Sequence, residues 1–106
     1  MDTRERLTTT IENILNKQAI QVEQIYLFGS RARGTAHPDS DWDVYVLVNR
    51  ELDFAKRQQL TTEIKRELAR QRIPNDVLLK SNKQFDASKI VPGHIAYTVA
   101  QEGIPL

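Results

Sequence analysis

The rhythm of apolar and polar positions changes several times along the chain, and each change marks an element. Leu7, Ile11, Ile14 and Leu15 recur at the three-and-four spacing of one helix face. They predict an opening amphipathic helix of about four turns, and Asp2 and Glu5 before them have capping-box spacing. Ile25-Tyr26-Leu27-Phe28 is short, β-branched and aromatic and stops at Gly29, the signature of a buried strand. A glycine-bounded turn, GSRARG, and a polar loop, TAHPDS, lead to the strongest strand signal, DWDVYVLV from Asp41 to Val48. From about Asp53 to Arg72 the period returns to helical, with Leu60, Ile64 and Leu68 as the inner stripe. Ile73-Pro74-Asn75 breaks that helix, and Asp76-Val77-Leu78-Leu79 makes a third strand. A last helix is expected to begin near Pro92, to turn Ile95, Ala96 and Val99 inward, and to close at Gly103, with Pro105 preventing its return.

The order helix, strand, turn, strand, helix, strand, helix predicts an α+β (α/β) sandwich, a small mixed β-sheet flanked by helices. At 106 residues the chain fits a single domain, 1–106, and no repeat or linker divides it. Apolar residues are 40% of it, enough for an ordinary core. A formal charge of +1 gives no bulk attraction to nucleic acid or to an anionic membrane, and no aromatic–basic stripe suggests direct nucleic-acid binding. With no cysteine there is neither a disulfide framework nor a thiolate metal site. The charged start MDTRERLTTT and the lack of a long apolar run lead us to expect a cytoplasmic protein.

Asp41 and Asp43 change this picture. Two positions apart on a strand, they point to one face with Cα atoms roughly 6.5–7 Å apart. Carboxylates so spaced can bracket two divalent cations, which in two-metal sites lie about 3.5–4 Å apart. Trp42, Val44, Val46 and Val48 take the other, core face, while Tyr45 and Leu47 continue the acidic face, where it is expected to run under a helix. The competing reading is two solvated acids at a strand's start, which repel each other unless neutralised. Asp76, at the start of another short strand, becomes a third ligand and general base if the two strands are neighbours; otherwise it is a turn residue.

Gly29-Ser30 ends the first strand and opens a short helix, Ser30 to Arg33, closed by Gly34. Amides at a helix start favour phosphate oxygens, glycine permits close approach, and the serine hydroxyl adds a donor. GSRARGTA has the two glycines of a Walker loop but Thr35 and Ala36 do not replace its lysine, which excludes that class of ATPase. Arg31 and Arg33 point in different directions from this turn, and Arg33 is a candidate contact to a triphosphate or an acceptor. His37 is read as a surface residue, His94 as structural or exposed, and the basic positions on the long helix as a solvated face mixed with acids.

Gly29-Ser30, ten residues, then Asp41-Trp42-Asp43 resembles the G-S-x(10)-D-x-D signature of the polymerase-β-like nucleotidyltransferase superfamily. The fuller stretch GSRARGTAHPDSDWDVYV, with Asp76 and the closing helix before EGIPL, is similar to the minimal nucleotidyltransferase (MNT) antitoxins of HEPN/MNT toxin–antitoxin systems. Trp42 and Tyr45 are bulkier than the aliphatics usual there, and the extra substrate domain of the larger aminoglycoside enzymes is missing. The resemblance implies that Gly29 and Ser30 hold a nucleoside triphosphate, with Arg33 beside them as the candidate contact named above, and that Asp41, Asp43 and Asp76 bind two Mg2+ ions and carry catalysis. It further implies ATP as donor, a tyrosine of a cognate HEPN ribonuclease toxin as acceptor of AMP, and a hetero-oligomer of the two proteins. The alternatives it leaves open are a non-catalytic antitoxin that occludes its toxin, or transfer to another acceptor such as an aminoglycoside.

Overall fold

The computed structural model describes all residues, 1–106. Its elements are α1 (Thr3–Asn16), β1 (Val22–Phe28), α2 (Ser30–Arg33), β2 (Trp42–Val48), α3 (Phe54–Arg70), β3 (Asn75–Ser81), α4 (Asn82–Ser88), α5 (Ile95–Glu102) and β4 (Ile104–Pro105). The strands form one sheet in the order β3-β2-β1-β4. β1 is antiparallel to both β2 and β4, and β2 is parallel to β3, so the sheet is mixed as the element order predicts. A parallel pair needs a crossover, and α3 supplies it.

Local chemistry explains the two long helices. Asp2 caps α1 by accepting a bond from the Glu5 amide at 2.9 Å, and Asp53 caps α3 through the Lys56 amide at 2.7 Å. Each helix is left through a residue of positive φ, Ala19 at 57° and Arg72 at 62°, and each exit turns an isoleucine, Ile20 or Ile73, into the core. The Ile20 amide then bonds Leu15 O and the Ile73 amide bonds Leu68 O, both at roughly the same length (3.0 and 2.9 Å).

Strand alternation sorts the side chains into two cores. Ile25, Leu27, Val44, Val46, Val48, Val77 and Leu79 meet the stripes of α1 and α3 on one face. On the other, Phe28, Tyr45 and Leu47 lie under Phe85 of α4 and Ala96 and Val99 of α5. Fully burying one such aliphatic side chain contributes about 1.5–3 kcal/mol, so each layer is held mainly by its apolar stripe. Tyr45 and Leu47 therefore do run beneath helices, and Trp42 is half-buried against the first core.

Four details differ from the sequence reading. The acidic strand begins at Trp42, so Asp41 sits one residue before it. An unforeseen helix, α4, follows β3, opened by a capping box between Ser81 and Gln84. The last helix starts at Ile95, capped by the His94 ring, so Pro92 stays in the preceding loop and Ile95 is 37% exposed instead of inward. Beyond Gly103 the chain does not merely stop: Ile104 and Pro105 pair with Leu27 and Tyr26 as an edge strand. Proline is tolerated there because an edge leaves one side of the ladder open. No helix is long and apolar enough to cross a membrane.

Candidate active site

The site is built where β1 ends and β2 and β3 begin. Phe28 is paired with Asp43, and Asp43 with Asp76, so the three residues form one row across β1, β2 and β3. Neighbouring strands lie about 4.7–4.9 Å apart, and in-register residues share a face, which places the Asp43 and Asp76 carboxylates side by side. Asp41 is exposed just upstream, held against the same end of the sheet by the Trp42 amide, which donates to Pro74 O at 2.8 Å.

Gly29 turns the chain out of this row. Its φ of 73° and ψ of −155° lie in a region that side chains avoid, and a Cβ there would overlap Oδ2 of Asp43. The glycine is thus required twice, by the backbone and by the carboxylate packed against it. The turn delivers Ser30 into α2, where the amides of Ala32 and Arg33 both donate to Gly29 O at 3.1 Å. Gly34, in the left-handed conformation, ends α2 after one turn.

Charge is unbalanced here. Asp43, half-buried, has its carboxyl pushed above the usual range, first by burial and then by the negative charges of Asp76 and Asp41; Arg33 opposes the shift. Arg33 also donates from Nη1 to Glu102 at 3.4 Å, with both side chains about half exposed (53% and 42%), a weak pair. Arg33 thus lies within reach of the charge on Asp43 while staying exposed. Asp76 is met at 3.6 Å by Lys65, which reaches round the β3 edge from α3.

The three aspartates are gathered at one end of the sheet but do not close into a cluster gripping a metal by itself. Burial and the nearby charges of Asp76 and Asp41 disfavour a charged Asp43, and a bound cation would relieve that repulsion. The donors are all hard carboxylate oxygens, which suit Mg2+, and a Mg2+ ion usually takes only one or two carboxylates and completes its shell with water and phosphate. The residues fit such an ion.

The two histidines take the roles expected of them: His94 is structural, capping α5 with its Nδ1 accepting the Ala96 amide at 3.2 Å, and His37 lies exposed in the loop before β2. Arg31 and Arg33 do point in different directions: Arg33 reaches Glu102, while Arg31 turns to the loop before β2, with its guanidinium 4.4 Å from the centre of the Trp42 ring. The pairing of Lys65 with Asp76 also escaped notice, since residues so placed meet only after the crossover closes.

A mixed sheet whose first strand ends in a glycine–serine turn, beside a row of aspartates on two parallel strands, defines the nucleotidyltransferase class. The chain belongs to the polymerase beta nucleotidyltransferase family, whose profile matches residues 9–106. No curated protein sequence matches it. Among solved structures, a chain in a crystal structure of a toxin–antitoxin with AMP-PNP is 26% identical, with a TM-score of 0.60 over 92% of this chain and 69% of that one. One in a mutant of the toxin–antitoxin MntA-HpeT is 29% identical, with a TM-score of 0.61 over 93% and 70%. A third, in a complex of tri-AMPylated Shewanella oneidensis HEPN toxin with MNT antitoxin, is 23% identical, with a TM-score of 0.60 over 97% and 71%, a likeness of fold.

Proposed function

We propose that this chain is the antitoxin of a HEPN/MNT pair and that it neutralises its toxin by transferring AMP from ATP to a tyrosine hydroxyl. The observation that carries the transferase reading is the in-register pairing of Asp43 with Asp76, next to a glycine turn that leaves room for nothing but the carboxylate. The nucleotide and partner are carried over from similar complexes, one containing AMP-PNP and others pairing a toxin with its antitoxin.

In this reading the turn at Gly29 and Ser30 holds the triphosphate through backbone amides and the Ser30 hydroxyl. Arg33 leaves its weak pair with Glu102 for a phosphate oxygen, a stronger charge-assisted partner. Asp41 and Asp43, joined by Asp76, would hold two Mg2+ ions, which when bound would supply charge stabilisation to the entering and leaving oxygens. Asp76 accepts the proton of the acceptor hydroxyl. The freed oxygen forms a bond to the α-phosphorus, the bond from that phosphorus to the β-phosphate bridge breaks, and pyrophosphate departs with its electron pair. AMP left on the toxin would obstruct RNA binding by bulk and negative charge.

The test is the intact mass of a HEPN-type toxin encoded beside this chain, after incubation with the chain, ATP and Mg2+. A gain in whole AMP units supports the proposal. A stable complex with no gain favours neutralisation by occlusion, and transfer to a different substrate alone would reassign the acceptor.

A further inference from the structure

Arg31 is placed to do something that neither the nucleotide nor the acceptor requires of it directly. Its Nε–H and Nη2–H donate to Ser40 O at 3.1 and 2.8 Å, and Nη2–H also reaches His37 O at 3.3 Å and Pro38 O at 3.2 Å. Its guanidinium carbon sits over the Trp42 ring, 4.4 Å from the centroid. Ser40 and Trp42 are the two neighbours of Asp41, so one side chain grips the backbone before that aspartate and the side chain after it. The loop is otherwise held by its own turn, in which the Ser40 amide donates to His37 O and the His37 amide to Ser40 Oγ, both at 2.9 Å, and at its two ends by the Thr35 amide on Ser30 O and the Trp42 amide on Pro74 O.

We infer that Arg31 is a positioning residue: it fixes the approach to β2 and thereby aims the Asp41 carboxylate at the metal-binding end of the sheet. Asp41 precedes the first paired residue, Trp42, so the ladder that orders Asp43 and Asp76 anchors it only from the residue after it. Arginine is needed for geometric reasons. Only a planar fork can bond several converging carbonyls while its face stacks on an indole; a lysine ammonium is a compact point charge with no face to stack. Arg31 acts on Asp41 as an outer-shell partner acts on a metal ligand, and loss of such a partner typically costs about 10–100-fold in metal affinity or activity. The inference rests on the transferase reading for the role of Asp41, but not on the identity of the acceptor.

The experiment uses the full chain as wild type and as Arg31→Lys, with Mn2+ as the probe ion and AMP-PNP as the nucleotide. Three quantities are read: amide hydrogen exchange across residues 36–41 without metal, Mn2+ affinity with AMP-PNP by electron paramagnetic resonance, and AMP-PNP affinity in EDTA. The expected result is faster exchange confined to that loop and Mn2+ affinity weakened about tenfold, with the melting temperature and metal-free nucleotide affinity unchanged. Faster exchange with undiminished Mn2+ affinity would reduce Arg31 to a loop fastener and overturn the inference. A fall in metal-free nucleotide affinity would make it a phosphate ligand and overturn it equally. If Arg31→Lys does not fold, Arg31→Gln is measured in the same way, and unfolding of both variants would make Arg31 a determinant of the fold instead. Wild type that binds Mn2+ and AMP-PNP yet modifies no toxin would sink the acceptor assignment and leave that of Arg31 standing; wild type that binds no Mn2+ would sink both.

Discussion

The Asp43 carboxylate fills the space that a side chain on residue 29 would need, so the glycine–serine turn and the aspartate row are one packed unit. Gly29→Ala meets both obstacles together. Holding alanine at a φ of 73° costs on the order of 1–3 kcal/mol, and the new methyl displaces Asp43. We expect a lower urea midpoint together with a loss of transfer of about 100-fold, the scale on which small misplacements at a site are felt. A variant with wild-type rate would separate the two parts of the site.

Burial and two neighbouring acids disfavour the charged form of Asp43, and the sign of the pH dependence follows. A carboxyl whose pKa is raised on folding lowers stability at pH above its folded pKa, and that cost is relieved as pH falls through it. Asp43→Asn is therefore expected to melt higher than wild type at neutral pH, with the gap closing toward the acid end of the carboxylate range. Added Mg2+ should close the gap as well, by stabilising wild type alone. Thermal melts of both proteins across pH, with and without Mg2+, check this.

Phe85 bridges the site's sheet face to α4, its ring 6.1 Å from that of Tyr26 and 5.5 Å from that of Tyr45. Phe85→Ala is expected to cost about 3–5 kcal/mol, as for other buried aromatics, and to loosen α4 before the rest. Urea denaturation gives the first quantity, and amide exchange across residues 82–88 gives the second.

The ion pair of Lys65 and Asp76 is half exposed, at 45% and 54%, so it adds little to stability. Lys65→Ala should leave the melting temperature nearly unchanged while freeing Asp76 for metal, and Mn2+ affinity should stay equal to wild type or rise. Asp76→Asn should be equally stable but weaken both metal affinity and transfer. Isothermal titration separates the two variants.

These residues also show which parts of the molecule are legible in sequence. Strand alternation placed Asp43 on the face opposite Val44 and Val46, and the glycine–serine turn and α2 fell where their punctuation put them, because both depend on local geometry. α4 carries one buried apolar residue, Phe85, too little for a period to show, although its Ser81–Gln84 capping spacing was there to be read. β4 is two residues long and contains a proline, so only its partner β1 makes it a strand. The inward assignment failed for Ile95 alone, because the helix opens at the His94 cap and leaves Ile95 exposed in its first turn, while Ala96 and Val99 turn inward as expected. Arg31 and Lys65 were invisible as partners of the site because their contacts require, respectively, the folded loop over Trp42 and the α3 crossover.

The most direct test of the central claim is the rate at which label from α-phosphorus-labelled ATP appears on the cognate toxin in Mg2+, for wild type and for the Asp41→Asn/Asp43→Asn variant. Both proteins are first shown to be folded and to bind the toxin. The account predicts label on the toxin with wild type, none with chelator, and at least a 100-fold slower rate with the variant, about the loss expected when preorganised charge stabilisation is removed. Equal labelling by the variant would contradict it, because the carboxylates beside Gly29 would then not be the site of transfer.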